Sequence, residues 1–194
     1  MNTIWNCALR TWQVGIGDPG VTGWVIVGLY LLVGLICFVA AGRTAFPWYT
    51  ARREKFFWRA LGLVLLALAV NKQLDLQSLL TASARCAAQL QGWYENRRVV
   101  QVAFIVAILA FMLLFALLLW TIVRGTLRRN GLALIGLIFV LGFVAVRAVG
   151  FHGMDALINM RVQGVRVNWA LEITGPVLIL LAALINMRRG AVDQ

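Results

Sequence analysis

From Val21 to Ala41 the chain carries no charge over about twenty residues. Wound as a helix at about 1.5 Å per residue, such a run crosses the roughly 30 Å of hydrocarbon in a bilayer. Val99–Val123 is a second run of this kind, interrupted only by Gln101. Gly131–Val146 is a third, and a fourth begins near Trp169, passes Glu172 and Pro176, and ends at Ile185. The remaining apolar stretch, Ala60–Val70, runs straight into Asn71-Lys72-Gln73-Leu74-Asp75-Leu76-Gln77. A polar run spliced onto a membrane helix is expensive and needs partners.

Of the 194 residues, 62% are hydrophobic and 13% charged, against the 45–50% apolar of an average soluble domain. The solvent for most of such a chain is lipid. No polar stretch is long enough to build a second, soluble core. The sequence therefore predicts one integral membrane domain over residues 1–194, an all-α bundle of five transmembrane helices with short loops. The spans are expected at about 21–41, 57–78, 99–123, 132–154 and 169–187. Residues 1–20 lack the basic start, apolar core and cleavage site of a secretory signal. With Trp5, Trp12 and the turn-forming Gly15–Gly20, they read as an interfacial segment.

The net charge is +11. The basic residues fall between apolar runs and lack the basic-aromatic face of a nucleic-acid binder, so the expected partners are the lipid bilayer and other membrane subunits, with no nucleic acid. Five spans put Gly42–Arg59, Arg124–Asn130 and the C-terminus on one side. That side receives Arg43, Arg52, Arg53, Lys55, Arg59, Arg124, Arg128, Arg129, Arg188 and Arg189. The other receives Arg10, Arg85, Arg97, Arg98, Arg161 and Arg166. The excess predicts a plasma (inner) membrane protein with the N-terminus outside and the C-terminus cytoplasmic.

The late ends of spans two and four and the early end of span five share one face under this topology. These are the places with intramembrane polar groups: Asn71, Lys72, Asp75 and Gln77; Arg147, His152 and Asp155; and Glu172. Asn71, Asp75 and Ser78 lie on one helical face, as do His152, Asp155 and Asn159. A salt-bridged polar site in the outer leaflet is expected, screened by the uncharged spans one and three as lipid-facing walls.

The chemistry open to such a site is limited. His152 is the only histidine, too few for a zinc site of three or four ligands or a bis-histidine haem; no metal is expected and the cofactor is undetermined. Ser78, Thr81 and Ser83 are on the same side and His152 could act as base, but no GxSxG, P-loop or GxGxxG occurs. Cys7 and Cys86 share the outer face and could pair, though spacing alone does not set disulfide geometry. Cys37 is placed mid-membrane, as a small packing residue. The preferred reading is a non-catalytic subunit or accessory protein of a larger membrane complex. The alternatives are a membrane-embedded hydrolase or transferase acting on a lipid-like substrate, and an ion-coupled transporter. Transport is disfavoured by the absence of an internal repeat.

Overall fold

A computed structural model describes residues 4–11, 20–74, 79, 82–83, 86–87, 89–92, 97–149, 161–162 and 165–192. Six helices organise them: α1 Ile4–Thr11, α2 Val21–Arg43, α3 Ala51–Leu74, α4 Arg97–Val123, α5 Leu127–Val149 and α6 Val167–Val192. A 3-10 turn, Arg124–Thr126, lies between α4 and α5. Arg161–Val162 and Val165–Arg166 form a two-residue antiparallel ladder.

Four helical stretches are long and apolar enough to cross a membrane: Val21–Arg43, Ala51–Leu74, Ile105–Ala145 and Trp169–Arg189. The third spans 41 residues, about 60 Å at helical rise and twice the hydrocarbon thickness. Its middle is not regular helix. Val123 departs from helical geometry (φ −105°, ψ 0°) before the 3-10 turn. The Thr126 hydroxyl donates to the Val123 carbonyl at 3.1 Å. Leu119 and Val123 before the turn, and Leu134 and Leu137 after it, are buried in the same core.

The helices start and stop for local reasons. Pro47 begins the turn into α3: the Thr50 and Ala51 amides both donate to its carbonyl. α3 consequently starts at Ala51, several residues before the expected 57, and carries its first turn through the basic connection. Gly92 adopts φ +75°, a left-handed conformation open to glycine at little cost. It follows helical residues 89–90.

Close glycine contacts fix the packing. Gly34 of α2 meets Gly62 and Leu66 of α3, and Gly62 faces Gly34 and Phe38. Gly136 of α5 meets Gly175 and Ile179 of α6, and Gly175 faces Val140. Both pairs are antiparallel. Without side chains at these points two backbones come within contact of each other, the small-residue packing used where lipid removes any hydrophobic drive between helices. α2 is the central helix rather than the lipid-facing wall that its lack of charge suggested. Ile26, Val33, Cys37 and Ala40 are fully buried. An uncharged helix is as cheap to bury among helices as in lipid, so hydropathy alone does not separate the two. α4 does behave as an outer wall. Val102, Val106, Phe111, Leu114 and Leu117 are exposed, and among the described side chains full burial is confined to its last turns.

Candidate functional site

The bundle has two polar centres, one at each end. The expected one is built where the end of α3 meets the beginning of α6. On α3 the buried face runs through Trp58, Leu61, Gly62, Leu65 and Ala69. Three and four residues on, the same face reaches Lys72 and Gln73. On α6 the face through Ile179, Ala182, Ala183 and Asn186 reaches back to Glu172. α3 and α6 both pack against α2, which brings these positions together: Lys72 Nζ donates to Glu172 Oε1 at 2.7 Å, with side chains 14% and 5% exposed. Tyr30 of α2 donates its hydroxyl to the Glu172 backbone carbonyl at 3.3 Å.

The pair leaves bonding capacity unused. Four buried side-chain polar atoms among the described residues have no hydrogen-bond partner: Thr44 Oγ1, Gln73 Nε2, Gln73 Oε1 and Glu172 Oε2. Three of the four are in the ion pair or one residue from it. An unsatisfied buried group costs roughly 1–3 kcal/mol, so this is an expensive arrangement for packing alone.

Of the expected cluster, the structure joins Lys72 to Glu172 and leaves Asn71 half-buried one residue away. Asp75, Gln77, His152 and Asp155 lie outside the described residues, as does the Arg147 side chain, whose backbone is in α5. Cys7 of α1 and Cys86 are joined by a disulfide across a sequence separation of 79, beyond the same end of α3. No group of three or more His, Cys, Asp or Glu that could hold a metal ion occurs among the described residues.

The second centre was missed by sequence reasoning. Glu54, in the first turn of α3, is 0% exposed. Its Oε1 accepts from Thr50 Oγ1 at 2.7 Å and from Arg129 Nη2, and its Oε2 accepts from Asn130 Nδ2 at 2.7 Å. Asn130 also donates to Thr126 Oγ1 at 3.0 Å, and its Oδ1 accepts from Trp58 Nε1 at 3.0 Å and Asn186 Nδ2 at 3.4 Å. Asn186 Nδ2 also reaches the Arg129 carbonyl at 3.1 Å. One carboxylate thereby ties the start of α3, the start of α5 and the end of α6. The available signal was Glu54 itself, the lone acid among the basic residues of Gly42–Arg59. Every atom named in this network is satisfied, which suits a structural lock better than a reacting site. Residues of the basic segments Gly42–Arg59 and Arg124–Asn130 and of the last turns of α6 therefore meet at one end of the bundle.

No protein-family model, curated protein or solved structure matches this chain.

Proposed function

We propose that the chain is a five-span integral protein of the plasma membrane, N-terminus outside and C-terminus cytoplasmic. It acts there as a non-catalytic subunit or accessory protein of a larger membrane complex. The count of five takes Ile105–Ala145 as two spans reversing at Arg124–Thr126, supported by its length and by the shared core on both sides of the turn. The orientation has two independent supports. Basic side chains gather at the Glu54 end, matching the cytoplasmic excess of Lys and Arg. The Cys7–Cys86 disulfide lies beyond the other end, and disulfides persist in oxidising compartments.

The subunit role rests on α4. It is a full-length apolar helix that gives most of its surface to nothing in its own bundle, with Val99, Val102, Val106, Phe111, Leu113 and Leu114 all exposed. Among its described side chains, only Leu119 and Val123 at its end are fully buried. A helix so weakly engaged is well placed as the rib against which a partner's helix packs. A photo-crosslinking residue at Val102, Phe111 or Leu114 in native membranes is expected to give a discrete protein adduct. Adducts with lipid alone, together with a lone protomer after mild-detergent purification, would remove the subunit reading.

A membrane-embedded hydrolase or transferase is the second reading, supported by the unpartnered atoms around Lys72 and Glu172. It requires a nucleophile at this end, and Ser78, Thr81 and Ser83 are the candidates from the sequence. A transporter reading draws on the same atoms but has no repeat behind it.

A further inference from the structure

The Lys72–Glu172 centre offers more hydrogen bonds than the protein itself uses. Glu172, 5% exposed, spends Oε1 on Lys72 and leaves Oε2 without a donor. Gln73, the next residue along α3, has both amide atoms buried and unpartnered. The Lys72 ammonium carries three N–H groups, and among the described residues Glu172 is its acceptor. The open groups are thus a carboxylate oxygen and an amide oxygen that need donors. Beside them, an amide NH2 and ammonium N–H groups need acceptors.

This pattern selects a chemistry. A purely anionic group would suit Lys72 and Gln73 but meet repulsion from Glu172. A quaternary ammonium would suit the charge of Glu172 but bring no N–H to Oε2. A zwitterion with a primary ammonium at one end and phosphate oxygens at the other answers all the open groups. Glu172 lies three residues inside the apolar stretch Trp169–Arg189, toward one end of the bundle.

Resting on the membrane placement proposed above, we propose that Lys72, Gln73 and Glu172 form a binding site for a phosphoethanolamine group. The ammonium donates to Glu172 Oε2 and Gln73 Oε1, and the phosphate accepts from Lys72 Nζ and Gln73 Nε2. The group is carried by an ethanolamine phospholipid of the outer leaflet or arrives as the free headgroup.

The test is thermal unfolding of the full chain in phosphatidylcholine nanodiscs doped with phosphatidylethanolamine or its mono- and dimethyl forms. Free phosphoethanolamine is added to undoped discs in a parallel arm. The midpoint is expected to rise by several degrees with phosphatidylethanolamine and to fall back stepwise as methyl groups replace N–H. A rise with the free headgroup as well assigns a soluble source, and a rise with the lipid alone assigns the lipid. Gln73→Leu removes two orphaned atoms without touching the ion pair. It is expected to be at least as stable as the parent in phosphatidylcholine and to lose most of the ethanolamine response. Glu172→Gln keeps the shape and loses the anionic acceptor, and is expected to lose the response too. A chain that enters the discs folded but unfolds alike across the methylation series, with no effect of the free headgroup, overturns the site while leaving the membrane reading standing. A full response retained by Gln73→Leu overturns it equally.

Discussion

Glu54 is the most committed side chain in the molecule. A carboxylate taken wholly out of water is tolerated only when charge and lone pairs are both answered, and Thr50, Arg129 and Asn130 answer them. Removing one partner of such a pair costs far more than the pair itself contributes. Glu54→Ala is therefore expected to destabilise the folded protein by about 3–5 kcal/mol, read as a loss of thermal midpoint in detergent. Trp58→Phe deletes a single bond to Asn130 and is expected to cost about 1 kcal/mol. If both variants lose equally little, the network is not the lock described. Side chains of this kind are hard to see in a sequence. Glu54 sits among arginines and reads as an exposed, screened charge, and Asn130 reads as part of a basic turn. Their burial follows from three distant segments converging, which no local pattern records. Lys72 and Glu172 were legible, because a charge inside an apolar run has few places to go.

At the scale of the helices, contact distance sorts the glycines. An added Cβ on Gly62 would meet Phe38 at 2.7 Å and the Gly34 carbonyl at 2.9 Å; on Gly136 it would meet Ile179 at 2.7 Å and the Gly175 carbonyl at 2.8 Å. Backbone carbonyls cannot step aside, so Gly62→Ala and Gly136→Ala must push helices apart. Each is expected to lower the thermal midpoint, with a loss of about 1–3 kcal/mol typical of overpacking. Gly28 has nothing within 4 Å, and Gly28→Ala is expected to be neutral, or stabilising by up to about 1 kcal/mol through helix propensity. An equal loss at all three positions would contradict the packing described. Gly28 and Gly34 lie in the same uncharged run, and of the two only Gly34 makes a close approach. Which face of α2 turns inward depends on partners that lie far along the chain. Helix existence was legible throughout, since uncharged runs of span length have one ordinary solution in lipid. The early start of α3 was not, because Pro47 and Thr50 set it through a turn rather than through hydropathy.

For the whole molecule, the two ends differ in kind. One gathers basic segments around a fully satisfied carboxylate. The other carries an ion pair with spare valences and, beyond it, a disulfide. The orientation proposed for the bundle rests on this polarity together with the charge asymmetry of the sequence. The central α2 was misplaced for the reason its span was easy to find: a helix without charges says nothing about what surrounds it. The number of crossings is what everything above relies on, and it turns on Arg124–Thr126. Single cysteines placed by Trp48→Cys, Gln91→Cys or Gly125→Cys, with Cys7, Cys37 and Cys86 replaced by serine, test it against a membrane-impermeant thiol reagent on intact cells. Five crossings with the N-terminus outside predict that Gln91→Cys labels at once, while Trp48→Cys and Gly125→Cys label only after permeabilisation. All three reversed would contradict the orientation, and Trp48→Cys and Gly125→Cys labelling from opposite sides would contradict the five crossings.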